Sequence, residues 1–592
     1  MHILGISCYY HDAAAALLRD GNLVAAAEEE RFTRIKHDSS FPENAITFCL
    51  DYAGISGREL DYVVFYEKPF HKFERILTTT IQSFPKSWRV FQEAMPAWLS
   101  DKLWVKSAIK SRLGIEPERI LFVEHHMSHA ASAFYPSPFE EAAILTIDGV
   151  GEWTTTSTGV GKGTEIKLAN EIKFPHSLGL LYSAFTAFLG FKVNEGEYKV
   201  MGMAPYGKPR YTDKIYNNLI KVSGDGSFWL DMDYFSYHHS EKKAFNSKFE
   251  SLFGKPRMPE SYFFTSDTRF PAYYGEKPSN FNELCRENEH YADIAASIQV
   301  VTEEVILNLV NSLHKETGLK KLCIAGGVGL NSVANGRILR ETPVEELFIQ
   351  PAAGDGGGAL GAALQAYHGL LGKPRTFVME HAYWGKEYSE DETKEFLDGN
   401  NISYEYFSDD EKLLDRTVDD LVDGKVVAWF QGRFEWGPRA LGNRSILADP
   451  RSEEMKELVN AKIKFREPFR PFAPAILEER MGEFFENGDH VAKQYPARYM
   501  LLVLPLKENK AETIKAVSHM GTGRLQSIRE EWNPRYYQVV KRFGEATGVP
   551  VLLNTSFNLR GEPVVNSPAN AFNTFSASEI DVLVLKNYVV RK

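Results

Sequence analysis

The chain has 592 residues, enough for more than one hydrophobic core, and its 68 Lys and Arg against 79 Asp and Glu leave a net charge of -11. That balance argues against a general nucleic-acid binder, whose affinity rests on neutralising phosphates with a basic surface. With 43% hydrophobic and 25% charged residues, no run of eighteen apolar residues, and four cysteines (Cys8, Cys49, Cys285, Cys323) without CxxC spacing, the composition excludes disorder, a helical membrane span, a disulfide framework and a thiolate zinc site. The cytoplasm is the expected compartment.

Residues 2–7 predict a short buried strand. A polar turn at Tyr10-His11-Asp12 follows, and AAAALL and NLVAAAEEE, straddling Asp20-Gly21-Asn22, complete a three-strand meander. ERFTRIKHDSSFP, with Arg31, Arg34, Lys36 and His37, reads equally as a solvated charge run or an anion-binding loop. The centre of the reading is residues 124–153. HHMSHAASAF predicts a helix that stops before Pro136, and on it His125 and His129 share one face at i, i+4 spacing. AAILTID predicts a buried strand that delivers Asp148 into a Gly-rich turn. Two imidazoles and a carboxylate suit Fe(II), Mn(II) or Zn(II); the bland alternative is a solvated histidine cluster beside an ordinary strand-end aspartate. With TTTSTGV and EIKLANEI, the strand repeats the N-terminal meander.

SLGLLYSAFTAFLGF predicts an apolar core helix, and Lys199, at what reads as a Gly-rich turn, is a phosphate candidate. The aromatic residues 208–291 suit either an acceptor pocket or a packed insertion. ADIAASIQVVTEEVILNLVNSLHKETG predicts a long amphipathic helix feeding the strand of KLCIAGGVGLN, where Gly326, Gly327 and Asn331 allow a nucleotide near the backbone. Gly, Pro and charge place a linker at 372–385, between domains at 1–371 and 386–592. Beyond it KVVAWF predicts a buried strand running into a loop with Arg433, Arg439 and Arg444. In KIKFREPFRPFAP, Lys462, Lys464, Arg466 and Arg470 alternate with Phe465, Phe469 and Phe472, which suggests a rigid platform for anions rather than a solvated surface. Arg524 in GRLQSI and Ser556 and Asn558 in VLLNTSFNLRGEPVV close the set of candidates.

Together, GISCYYHDAAAALL, EEERFTRIKHDSSFP, HHMSHAASAF, LTIDGVGEWTTT, EGEYKVMGMAPYG, GGVGLN and PAAGDGGGALGAA give a chain that, almost end to end, resembles the O-carbamoyltransferases that carbamoylate hydroxyl groups of antibiotics, toxins and nodulation factors. The resemblance implies an α/β protein: a duplicated actin-like (ASKHA, ribonuclease H-like) N-terminal domain, similar to the tRNA threonylcarbamoyl-transferase subunit, and a YrdC-like α/β C-terminal domain. It implies His125, His129, Asp148 and Asp355 as ligands of one divalent metal, Fe(II) ahead of Mn(II) or Zn(II). Gly326, Gly327 and Asn331 would hold the adenosine end of an adenylate. Arg439, Lys464, Arg470, Arg524, Ser556 and Asn558 would contact ATP, bound with Mg2+, and carbamoyl phosphate, with Lys464 and Arg470 acting on the chemistry. The implied activity makes carbamoyl adenylate and pyrophosphate from carbamoyl phosphate and ATP, then passes the carbamoyl group to a hydroxyl-bearing small molecule. His11 is the candidate base, set against a role in capping the Asp12 turn. Neither nucleic acid nor membrane is an expected partner. The alternatives are an actin-like small-molecule kinase and a non-catalytic nucleotide-binding assembly factor.

Overall fold

Short apolar segments separated by turn residues build the first sheet from β1 (His2–Ser7), β2 (Ala14–Arg19), β3 (Asn22–Glu28), β4 (Tyr62–Phe65) and β5 (Ile120–Phe122), in a computed structural model that describes residues 1–592 except 101, 241 and 269. The order is β3-β2-β1-β4-β5, with β1 antiparallel to β2 and parallel to β4, and β4 parallel to β5. From Ile3 onward β1 is buried throughout, as a central strand covered on both faces must be. The second sheet uses β6 (Glu141–Ile147), β7 (Thr154–Lys162) and β8 (Glu165–Lys173). A hairpin of β9 (Ile220–Val222) and β10 (Phe228–Leu230) stands apart, and β11 (Lys321–Ala325) and β12 (Glu346–Phe348) complete the sheet. Its order, β8-β7-β6-β11-β12, repeats the first, again with an antiparallel meander on one side of β6 and parallel strands on the other. This is the duplicated actin-like plan that the two meanders predict.

The helices that matter here are α1 (Pro69–Gln82), α2 (His125–Phe134), α3 (Leu178–Phe188), α4 (Phe281–Thr317), α5 (Ser332–Glu341) and α6 (Asp355–Leu364). The glycines of PAAGDGGG, expected to bring backbone close to a ligand, have another use. A Cβ on Gly361 would collide with the Ser128 carbonyl of α2, one on Gly358 with the Tyr66 ring, and one on Gly5 of β1 with the Ala359 carbonyl. They let α6 lie against α2 and β1, which fixes where Asp355 starts its helix. Within residues 208–291, Phe245, Phe249 and Phe253 interlock with Phe185 and Phe188 of α3 at ring-centroid distances of 5.0 to 6.1 Å, as the packed-insertion alternative expects for this part. Lys199 lies on a helix, Glu197–Met203, not at a turn, with its Nζ 5.3 Å above the Phe191 ring.

The remaining strands are β13 (Glu405–Tyr406), β14 (Val427–Phe430), β15 (Arg444–Ala448), β16 (Ala473–Leu477), β17 (Leu502–Pro505), β18 (Thr522–Ile528), β19 (Val551–Ser556), β20 (Val582–Leu585) and β21 (Tyr588–Arg591). They form one mixed sheet in the order β13-β21-β20-β14-β15-β19-β16-β18-β17. Leu414, Val418 and Leu421 of α7 (Asp410–Val422) and Val540 and Phe543 of α8 (Pro534–Thr547) share a core with Trp429, Leu447 and Leu552 of the sheet. The described residues divide into two compact units, Met1–Val24 with Ser39–Phe270 and Lys277–Val378, and Ala25–Asp38 with Pro271–Glu276 and Met379–Lys592. The second therefore includes two short segments from the N-terminal half of the sequence. Among the described residues no helix is long and apolar enough to cross a membrane.

Candidate functional site

Helix α2 is buried along almost its whole length, so its histidines are held rigidly. The Nε2 atoms of His125 and His129 lie 3.0 Å apart. Asp148, the residue after β6, brings Oδ2 to 3.3 Å from His125 Nε2 and 3.9 Å from His129 Nε2. Its Oδ1 accepts a 2.8 Å hydrogen bond from the Gly327 N–H, so the glycine pair after β11 orients this carboxylate. Asp355, first residue of α6, places Oδ1 3.6 and 3.4 Å from the same two nitrogens. One ligand atom from each of the four residues lies within 4.8 Å of the other three. Four groups from three elements thus converge, and Asp355 comes from more than two hundred positions beyond the other three.

The cluster's hydrogen bonding shows what it fits. Both Asp355 oxygens and the Nδ1 atoms of His125 and His129 are buried without a hydrogen-bond partner, and Asp355 is 0% exposed. A buried carboxylate without donors is costly unless a cation neutralises it. Two imidazole nitrogens and two carboxylates are the borderline-to-hard donor set that suits Fe(II), Mn(II) or Zn(II). His11 sits beside them, its Nδ1 2.9 Å from Asp12 Oδ2 and its Nε2 3.8 Å from Asp355 Oδ2. Gly326 holds φ +96°, where a Cβ would strike the Ile147 backbone, and its N–H bonds Ala353 O at 2.8 Å. Asn331 caps α5 through Ala334 N at 3.2 Å and meets Gln299 at 3.0 Å.

In the second unit the structure brings Lys464, Ser556 and Asn558 together. The Lys464 ammonium donates to the Ser556 carbonyl and, at 2.9 Å each, to the Asn558 carbonyl and Oδ1. All these acceptors are neutral, and among the described residues no carboxylate pairs with Lys464. Arg470 lies within electrostatic reach of it, with Nη1 3.6 Å from Glu467 Oε2. Arg524 lies on β18 opposite Val503 of β17, Asn554 on β19 registers with Ala473 of β16, and Ala440, next to Arg439, accepts from the Asn554 amide at 3.2 Å. Arg444 corrects the sequence reading, which put it in the loop after KVVAWF, whereas Arg433 lies in that loop as expected. Arg444 belongs to β15, is 0% exposed, donates to Gln431 and Asn443 carbonyls and stacks 3.6 Å from the Phe430 ring centroid. Arg433 donates to the carbonyls of Trp384 and Gly385. Both serve the fold.

A family model described as the carbamoyltransferase N-terminus matches residues 2–364, and one described as the carbamoyltransferase C-terminus matches residues 418–592. The chain belongs to the carbamoyltransferase family. An uncharacterized protein of Synechocystis sp. is 48% identical to this carbamoyltransferase over 100% of its chain and 97% of the relative. The nodulation protein NolNO of Sinorhizobium fredii is 37% identical over 99% and 79%, respectively. A 3'-hydroxymethylcephem-O-carbamoyltransferase of Amycolatopsis lactamdurans is 34% identical over 51% and 54%. The N-terminal match contains His11 and all four cluster residues of the carbamoyltransferase; the C-terminal match contains Arg439, Lys464, Arg470, Arg524, Ser556 and Asn558.

Electrostatics in the carbamoyltransferase follow from burial set against charge. Burial alone would lower the pKa of His125, but the carboxylates of Asp355 and Asp148 outweigh it and push it up to about 9. His11 is likewise pushed up to about 10, burial again losing to Asp355 and Asp12. Asp148 sits well below its ordinary value: burial opposes its charge, and His125 and His129 favour it more strongly. Lys464 moves down because burial and then Arg466 and Arg470 disfavour its charge. Two supporting residues had no sequence signal of their own. Glu152 accepts from the backbone N–H of His125 at 3.1 Å and of Lys68 at 2.8 Å, and so anchors the start of α2. Tyr66 lies with its ring centroid 5.4 Å from that of His125.

Proposed function

We propose that this carbamoyltransferase hydrolyses carbamoyl phosphate to carbamate and phosphate, joins the carbamate to the α-phosphorus of ATP as carbamoyl adenylate with pyrophosphate leaving, and then transfers the carbamoyl group to a hydroxyl of a small-molecule natural product with AMP leaving. The observation that carries this reading is the convergence of His125, His129, Asp148 and Asp355 around buried oxygens that have no donor. The named cephem relative supports a small-molecule alcohol as acceptor. A divalent cation held by the four residues, Fe(II) the favoured one, would supply Lewis acidity toward a carbonyl oxygen.

The chain's own residues have separate tasks. In the second unit Lys464 and Arg470, with Arg439 and Arg524, hold the phosphates of ATP and carbamoyl phosphate and oppose charge that grows on them. That no carboxylate among the described residues pairs with Lys464 favours this use. Ser556 and Asn558 position the ammonium. In the first unit Gly326, Gly327 and Asn331 line the adenosine side. His11, oriented by Asp12, takes the proton of the acceptor hydroxyl. Asp355 and Asp12 raise its proton affinity, and a cation held by the four ligands would weaken the pull of Asp355.

The duplicated actin-like sheets favour one second reading, a small-molecule kinase. Incubation with carbamoyl phosphate and ATP separates the two. The proposed reaction releases pyrophosphate, and His129→Ala keeps carbamoyl-phosphate-dependent ATP–pyrophosphate exchange while losing acceptor carbamoylation. ADP as the product, or loss of both activities together, overturns it.

A further inference from the structure

Helix α1 turns Lys72 and Arg75, one turn apart, into the protein, where their residues are only 4% and 7% exposed. Buried Lys and Arg normally carry a partner. Lys72 has one: its Nζ lies 2.6 Å from Glu67 Oε2 and also stands 4.6 Å above the Tyr10 ring. Arg75 has none of that kind. It makes no hydrogen bond or ion pair with any described residue, its Nε is buried and unpartnered, and its guanidinium rests 4.9 Å above the Phe174 ring. The nearby carboxylates are already engaged. Glu67 holds Lys72, and Glu152 accepts backbone N–H groups of Lys68 and His125.

Lys72 adjoins the four-ligand cluster through a continuous set of contacts, and Arg75, one turn on, lies within electrostatic reach of Tyr10 and of Glu152, which anchors the start of α2. Lys72 lies on Tyr10, the Tyr10 ring is 4.7 Å from the His11 ring, and His11 Nε2 is 3.8 Å from Asp355. Tyr10 is 37% exposed, so this side of the cluster meets solvent. An unbonded guanidinium there has the donors to take two oxygens of one planar or tetrahedral anion.

We propose that Arg75 is an anion-docking residue beside the cluster, receiving a carboxylate or phosphate group of the molecule that enters the transfer site. That group belongs either to the acceptor or to the phosphate of the carbamoyl donor. The inference rests on the reading of the cluster as the transfer site, and it makes Arg75 a determinant of which molecules bind there.

Calorimetric titration of the full chain with inorganic phosphate, and separately with AMP and adenosine, tests it in wild type, Arg75→Met and Arg75→Lys. Arg75→Met loses one phosphate site that wild type shows. Arg75→Lys keeps the site at about tenfold weaker affinity, because an ammonium has the charge without the fork. If the donor phosphate is what docks, the preference of wild type for AMP over adenosine disappears in Arg75→Met. If the preference survives while the phosphate site is lost, the anion is the acceptor's. Identical phosphate isotherms in wild type and Arg75→Met overturn the proposal; so does failure of both variants to fold, which makes the residue structural. Full acceptor carbamoylation by His129→Ala would instead remove the cluster from the transfer step without altering the phosphate titrations, so the two failures are told apart.

Discussion

The histidine–aspartate cluster and the cations of the C-terminal sheet are both charged and buried, but their hydrogen bonds are arranged in opposite ways. At the cluster, Asp355 faces His125 and His129 with neither oxygen receiving a donor. In the sheet, Arg444 gives its terminal nitrogens to main-chain carbonyls and stacks on Phe430, with only Nε left without a partner. Leaving a buried polar group unmade costs about 1–3 kcal/mol, and more for a charge, so a chain that tolerates this at several atoms in one place is shaped for something it does not itself supply. Lys464 stands between the two cases. Its donors are used, but only on neutral oxygens, and among the described residues its charge has no pair.

Three substitutions break the comparison in order of expected effect. Asp355→Asn removes the fully buried carboxylate, and the lost metal chemistry, worth several kcal/mol, lowers acceptor carbamoylation about 10³-fold or more. Metal content by mass spectrometry falls with it while ATP–pyrophosphate exchange persists; unchanged metal content would refute the ligand assignment. Lys464→Met should act on the other half of the reaction, reducing exchange by about 10²-fold while transfer from supplied carbamoyl adenylate continues. Equal loss of both would dissolve the division of labour. Arg444→Met should instead act on stability, by on the order of 3 kcal/mol, because buried carbonyls lose a charged donor. Its signature is a lower melting temperature with exchange per folded molecule unchanged, and a variant as stable as wild type would contradict the structural role.

The same contrast explains what the sequence made legible. His125, His129 and Asp148 could be read because i, i+4 spacing and a strand-end turn put them within reach by local geometry alone. Asp355 is more than two hundred positions away, and only the family resemblance pointed to it. What brings it in is the packing of α6 on α2 and β1 through Gly5, Gly358 and Gly361, a long-range fit that no local pattern encodes. The duplicated meanders were visible because turn residues punctuate them. In the C-terminal region, sequence density of arginine did not separate Arg444 from Lys464, since burial and carbonyl partners depend on strand pairing between β14, β15 and β19. Glu152 was hidden for a similar reason: its role is to meet two main-chain N–H groups, one of them 84 positions earlier.

Glu28 sharpens the comparison with the smallest expected effect, because it is a buried acid whose charge is not wanted. In the second unit its Oε1 accepts the Gly437 N–H at 2.6 Å, while Oε2 lies 3.6 Å from Arg31 Nε. Burial pushes its pKa up to about 7 from an ordinary 4.5, with Arg31 only partly offsetting the cost. A raised carboxyl binds its proton more tightly in the folded chain. Its stabilising contribution is therefore complete below about pH 4.5 and is lost as pH climbs through about 7, the unfolded chain ionising first. Glu28→Gln keeps the acceptor for Gly437 and removes the titration. Urea unfolding followed at both ends of that window should show the variant gaining on wild type as pH rises, by at most about 3 kcal/mol. If the difference between the two proteins were the same at both pH values, Glu28 would be ionised in the folded chain, and Arg31 would fully compensate the cost of its burial.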